Sequence, residues 1–336
     1  MDSLTQFVLG ATISALALGP RIGPRRAALI GGVVATLPDL DVFIAAADPI
    51  QSYVTHRGFS HSVFVHTALA PVLGEMLLRL DRRLRDARWL TWLTLWLVLV
   101  THALLDCFTT YGTRILWPID NTPVSWSSIF IIDPLYSLPL LVLTLVALFR
   151  GRWGPGFGKG AITALALSTL YLGWSVAARE IAETKMRSAL AEAGQSVERL
   201  TMIPMPFNTA LWRGLAMTED GYINIYRSIL DTRPEATLHR HDRGRDIEAL
   251  LPAESPVADV AAFSGGYYAL RRDGADILLS DLRMGVDPNY IFTFKIAEQH
   301  SDPVLVTPVQ RERVNDLTVL DWMVRRITDE QAVRIE

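Results

Sequence analysis

The apolar positions of this chain crowd into its first half. Six runs stand out, at about 4–19, 27–47, 62–80, 89–108, 129–149 and 161–178. A helix needs about 20 mainly apolar residues to cross a bilayer, with ~17 near the lower limit. The fourth, fifth and sixth runs meet that length. The first is short, and the second carries Pro38, Asp39 and Asp41 near its end. In the fourth, WLTWLTLWLVLV is apolar around the whole helix, which argues against a soluble amphipathic helix there.

Charge at the ends of the runs predicts an orientation. Three connections are rich in Arg and Lys: Arg21, Arg25 and Arg26; then Arg79, Arg82, Arg83, Arg85 and Arg88; then Arg150, Arg152 and Lys159. The alternate connections, 48–61 and 109–128, hold only Arg57 and Arg114. Basic loops stay on the cytoplasmic side. The N-terminus, loops 48–61 and 109–128, and everything after residue 178 are therefore expected outside. The first run lacks the basic stretch that precedes a signal peptide's apolar core, so it reads as retained. Ser3 and Gln6 read there as a capping box, with Asp2 against the positive helix end.

After residue 178 the pattern changes. REIAETKMRSALAEAGQSVERL reads as an amphipathic helix. LWRGLAMT and YINIYRSIL flank Glu-Asp-Gly, YYALRR and DILLSDLR flank Asp-Gly-Ala, and both pairs read as hairpins with glycine in the turn. YIFTFKIAE reads as a further strand and 315–330 as a closing helix. The expected fold class is a polytopic α-helical membrane protein of about six transmembrane helices (1–178) with a C-terminal soluble α+β domain (179–336), extracytoplasmic on the charge argument.

Composition narrows the function. The net charge of −3 over 336 residues argues against a nucleic-acid partner, which calls for a strongly basic face. The single cysteine, Cys107, excludes an internal disulfide and any multi-cysteine zinc site, and reads as a buried inert thiol.

The candidate chemistry is polar residues set against the apolar runs. SYVTHRGFSHSVFVH (52–66) holds three of the seven histidines, His56, His61 and His66. Asp39 and Asp41 lie near the outer end of the second run, and His102 and Asp106, four apart, at the outer end of the fourth. Asp2, Asp120 and Asp133 fall on the same side; Asp2 reads as a helix-end residue and Asp133, before Pro134, equally as an N-cap. The predicted topology puts all of these near one depth, and ionisable residues inside a membrane are costly and mark function. HxxxD at helical spacing places both groups on one helix face. His56 and His61, about 140° apart on a regular helix, converge only if HRGFSHS is irregular, which Gly58 permits, with Ser60 capping the next helix. Imidazole with carboxylate suits zinc or another divalent first-row ion.

The expected metal ligands are His56, His61, His102 and Asp106. Asp41 is a further ligand or a base, Asp39 has a catalytic part, and Arg57 binds an anionic group. His66 is expected to be structural or to support a ligand from behind. Ser60 and Ser62 lack the surroundings of a serine-hydrolase elbow. His239, His241 and His300 lie in the second half, where HRHDRGRD reads as a solvated loop. A site at this depth suits a lipid or lipid-linked substrate with an ester or phosphoester bond. Two rival uses of the same groups stay open: an ion or proton pathway, although Glu75 is the one matching acid toward the inner ends, and a non-catalytic envelope assembly protein.

MDSLTQFVLGA, LPDLD, HRGFSHS, HALLDCFTTYGT and PMPFNTALWRGLA together resemble the YdjM-type family of inner-membrane, metal-dependent hydrolases, also described as LexA-binding. The resemblance covers the membrane half and reaches the FNTALWR stretch. It implies a multi-pass hydrolase of the bacterial inner membrane. Its polar motif positions fall at Asp2, Asp39, Asp41, His56, Arg57, His61, Ser62, His102, Asp106 and Thr109. A LexA partner would need a cytoplasmic surface, where the predicted topology leaves short basic loops; the bilayer is the partner expected, and a protein partner stays open.

Overall fold

Pro38 cannot donate a backbone hydrogen bond, and the helix before it stops at Thr36. That early stop is one of several places where the chain departs from six full-length apolar helices. The computed structural model describes residues 1–149, 152–219, 221–300, 302–312 and 318–334; Arg150, the Asp220 turn position and 315–317 of the expected closing helix lie outside them. The first half runs through α1 (Ser3–Ala17), the single turn α2 (Gly19–Ile22), α3 (Pro24–Thr36), a 3₁₀ turn (Pro38–Phe43) and α4 (Pro49–Thr55). A second 3₁₀ turn (Phe59–His61), α5 (Val63–Leu80), a third (Arg82–Ala87), α6 (Arg88–Cys107), α7 (Pro134–Phe149) and α8 (Pro155–Glu192) follow.

Among the described residues, three segments are long and apolar enough to cross a membrane: Val63–Leu80, Arg82–Cys107 and Pro155–Glu192. Ser3–Ala17 and Pro134–Phe149 are apolar but shorter. The expected amphipathic helix after residue 178 is not separate; α8 runs on unbroken from its apolar part and ends earlier than expected, with Gly194 in the left-handed region just beyond it.

The chain divides into two compact units. The N-terminal unit comprises Met1–Ile44, Arg57–Val176 and Pro206–Asn208. Its core packs Val8, Leu9, Ala11 and Ala15 of α1 with Leu140, Leu143 and Ala147 of α7 and Phe157 and Ala161 of α8. α1 and α3 lie close because neither carries a side chain at the contact: a Cβ on Gly31 would stand 2.2 Å from the Gly10 carbonyl oxygen. Val34, Ala35, Ala70, Leu95 and Leu99 join α3, α5 and α6. Leu80, Trp89, Phe149 and Leu170 point outward and are mostly exposed.

The C-terminal unit comprises Ala45–His56, Ala177–Met205 and Thr209–Glu336. Its first antiparallel sheet has the order β1 (Arg199–Pro204), β2 (Leu211–Met217), β3 (Gly221–Ser228), β4 (Leu238–Asp242). After α9 (Arg245–Glu248) and α10 (Val257–Ser264) come β5 (Tyr268–Asp273), β6 (Asp276–Asp281), the small pair β7 (Gly285–Val286) and β8 (Asn289–Tyr290), β9 (Thr293–Gln299), β10 (Pro303–Gln310) and α11 (Thr318–Arg326). The second sheet has the order β10-β9-β6-β5. Gly274, at φ 60°, makes the expected β5–β6 turn. The end of α8 fills the first sheet's core: Ala182, Met186 and Leu190 pack on Met202, Trp212 and Ile223. HRHD is not a solvated loop. It is edge strand β4, with His239 opposite Asn224 and His241 opposite Tyr222 of β3.

Candidate metal centre

Three elements of the N-terminal unit bring their polar side chains to one point. The 3₁₀ turn after α3 supplies Asp39 and Asp41, the turn Phe59–His61 supplies His61, and α6 supplies His102 and Asp106. His102 and Asp106 share the buried face of α6 because they are four apart. Donor atoms of Asp39, His61, His102 and Asp106 all lie within 4.8 Å of one another.

The spacing inside this group is informative. His61 Nε2 lies 3.1 Å from His102 Nε2, 3.4 Å from Asp39 Oδ1 and 3.3 Å from Asp106 Oδ2. His102 Nε2 lies 3.5 Å from Asp39 Oδ1 and 3.6 Å from Asp106 Oδ2. A tetrahedral ion with ligand bonds of ~2.0–2.1 Å holds its ligand atoms about 3.3–3.4 Å apart. Five edges of the group fall near that length. His61, His102 and Asp106 are almost fully buried, and Asp106 Oδ2 makes no hydrogen bond among the described residues. That oxygen has the Arg57 guanidinium 3.2 Å away and two imidazole nitrogens within 3.6 Å, a donor set that a metal ion would complete. The residues fit a divalent metal ion.

The surroundings prepare His61 for that role. Ser60 donates its hydroxyl proton to Asp41 Oδ2 at 2.6 Å, and its oxygen lies 2.9 Å from His61 Nδ1. With that hydroxyl proton spent on Asp41, Ser60 accepts from His61 Nδ1–H. The proton sits on Nδ1, and the Nε2 lone pair faces the group. The Asp39 and Asp106 carboxylates beside His61 call for positive charge, which a metal ion answers.

Asp106 is held from several sides. Gln6 donates to Asp106 Oδ1 at 3.0 Å and to the His102 carbonyl at 3.2 Å. The Met1 amine also contacts Asp106 Oδ1. Arg57 Nε lies 3.2 Å from Asp106 Oδ2, and Arg57 Nη1 donates to Thr109 Oγ1 at 3.0 Å. Its guanidinium lies 5.1 Å from the Tyr111 ring centre. Arg57 has φ 58°, a left-handed conformation that is uncommon without glycine. It is fixed by Arg57 N–H to Asp41 Oδ2 and by Arg114 N–H to the Arg57 carbonyl, each at 3.0 Å.

The other expected residues fall elsewhere. His56 is the half-buried C-cap of α4 and is not one of the four. His66 donates Nε2–H to the Ser60 carbonyl at 2.8 Å. Asp2 is the N-cap of α1, accepting from Leu4 and Thr5 N–H, so the expected Ser3–Gln6 capping box does not form. Ser62, not Ser60, caps α5. Asp120 accepts from Thr122 N–H, and Asp133 accepts from Leu135 N–H and the Tyr171 hydroxyl. Gln6 is the contact that sequence reasoning missed. Its one signal was an amide inside an apolar helix.

The "Inner membrane protein YbcI" of Escherichia coli (strain K12) is 37% identical over 150 residues, which is 44% of this chain and 78% of that protein. No solved structure matches. The YdjM inner membrane protein family matches residues 1–182, which include all four converging side chains and stop before β1. The chain belongs to the YdjM inner membrane protein family.

Proposed function

We propose that this protein is a membrane-embedded, metal-dependent hydrolase with a zinc site formed by Asp39, His61, His102 and Asp106. The observation that carries the reading is the near-tetrahedral spacing of their four donor atoms. Asp39, expected as catalytic, joins the ligands in the place first given to His56. A divalent ion there supplies Lewis-acid polarisation and, by lowering the pKa of water, a nucleophile at neutral pH. The chain's own residues do the rest. Asp41 and Ser60 orient His61, and Gln6 and Arg57 hold Asp106. The Arg57 guanidinium is buried against Asp106 and Thr109, so it positions a ligand instead of meeting substrate.

A lipid or lipid-linked (phospho)ester suits the same turn. Leu40 and Val42 alternate with the two acids and Phe43 follows them; the three are 50%, 53% and 82% exposed. An apolar rim beside a polar centre is what an amphiphilic substrate requires. The reading includes six spans, the shorter helices among them, with the site at the outer face and residues 179–336 extracytoplasmic. The asymmetry of the basic loops supports that orientation.

Purified full-length protein is expected to hold about one equivalent of zinc. His61→Ala and His102→Ala should lose it, and His56→Ala should keep it. Wild-type protein that takes up no divalent ion after reconstitution would sink the reading. Topology is tested separately with Ser52→Cys, at an exposed position of α4. Labelling from the cytoplasmic side alone would overturn the orientation.

A further inference from the structure

The segment between the two halves of the metal centre does not fold with them. Asp39 and Asp41 precede it, Arg57 and His61 follow it, and all four belong to the N-terminal unit; residues 45–56 belong to the C-terminal unit. The neck of this loop is closed by Asp41, whose Oδ2 accepts from Arg57 N–H at 3.0 Å and from Ser60 at 2.6 Å. The head is α4, anchored inside the C-terminal unit. Tyr53 is 4% exposed. Its hydroxyl donates to Asp281 and accepts from Arg283 Nη2 at 3.3 Å. Its ring sits 4.8 Å from Phe263 and 4.5 Å from Phe292. Gln51 adds a hydrogen bond to Asp259 at 2.8 Å.

We propose that the C-terminal unit sets the geometry of the metal centre by holding the head of the 42–56 loop, with Tyr53 as the positioning residue. This rests on the metal-centre reading above. The physical link is the chain itself. α4 ends at Thr55, two residues before Arg57, whose left-handed backbone is held by its N–H bond to Asp41 and by Arg114 N–H to its carbonyl. Loss of the anchor frees the loop to rotate at His56. Arg57 N–H then leaves Asp41, and Asp41 with Ser60 no longer fixes the His61 ring. The effect reaches His61 without any change to a ligand.

The test uses the metal-free and cobalt-loaded full-length protein in detergent. Tyr53→Ala is expected to speed amide exchange at residues 57–61 and to weaken cobalt binding, each about 10-fold or more, the scale seen when a partner that orients a ligand is lost. The visible cobalt spectrum should shift while the stoichiometry stays the same. Tyr53→Phe, which keeps the ring, should fall between. Trp322→Ala is the control. It opens a different cluster of the same unit, around Met205, Leu211 and Tyr226, and should leave 57–61 unchanged. If Tyr53→Ala does not fold, Gln51→Ala carries the same comparison with a smaller effect. Unchanged exchange at 57–61 beside a loosened α4 overturns the proposal, as does an equal response to Trp322→Ala. Wild-type protein that binds no cobalt defeats the metal-centre reading alone, and the exchange data still decide the coupling.

Discussion

In the C-terminal unit, Asp281 faces Arg283 at 2.7 Å, and Asp231 faces Arg326 at 2.6 Å and Arg227 at 3.2 Å. These are its two buried carboxylates among the described residues, and each has a guanidinium. Buried Arg213 donates Nη2 to the carbonyls of Leu282 at 2.6 Å and Arg283 at 3.1 Å. In the N-terminal unit the arrangement is different. Asp39 and Asp106 converge with two imidazoles, and among the described residues Arg57 is the guanidinium beside them. One unit buries charge that is already matched, the other buries donor atoms that face one another. Matched pairs are the ordinary way to bury charge; converging donors with an excess of acid are a group that could hold a metal ion.

The same substitution in both units should separate the two uses most sharply. Asp281→Asn removes the counter-charge of buried Arg283 and is expected to destabilise the C-terminal unit by about 3–5 kcal/mol. Asp39→Asn changes a side chain that is 18% exposed and whose ion-pair partners are the two histidines. In metal-free protein it should shift stability by less than about 1 kcal/mol, yet weaken zinc binding by more than about 100-fold. Zinc at 100 times its dissociation constant stabilises a folded state by about 2.7 kcal/mol, and that gain should appear in wild type and vanish in Asp39→Asn. Denaturant titration read by hydrogen exchange in α6 and in β6 reports each unit by itself. A large metal-free loss from Asp39→Asn would make the N-terminal cluster another structural network.

How much of this was legible in the sequence follows from how local each feature is. His102 and Asp106 are a single-helix spacing, and their shared face could be read directly. Asp39 and Asp41 beside Pro38 announced an irregular acidic turn. That His56, expected as a ligand with His61, stays out of the group could not be read, because Arg57 takes a positive φ for which it has no intrinsic preference and α4 packs with a strand more than 200 residues away. Gln6 resembled part of a capping box because its partner lies on α6. The apolar runs gave the membrane half, but Pro38 shortened α3. β4 was invisible because an edge strand of alternating charge and histidine has no apolar face to reveal its period.

The smallest effect sharpens the comparison within a single turn of chain. Ser60 and Ser62 stand on either side of His61 and look interchangeable in sequence. Ser62 accepts from Phe64 and Val65 N–H at the start of α5 and donates to the Trp117 carbonyl at 2.5 Å. Ser60 joins Asp41 to His61 Nδ1. Ser62→Ala should therefore cost about 1 kcal/mol of helix stability and leave zinc affinity nearly unchanged. Ser60→Ala should do the reverse. It removes the acceptor that keeps the proton on Nδ1 and leaves Asp41 3.7 Å from the ring, so zinc affinity should fall about 10-fold with little change in metal-free stability. Zinc titration and unfolding of the two variants give a crossed pattern if His61 is a metal ligand held in one tautomer. Equal zinc affinity in Ser60→Ala and wild type would mean that the hydroxyl between Asp41 and His61 packs the turn and does not orient a ligand.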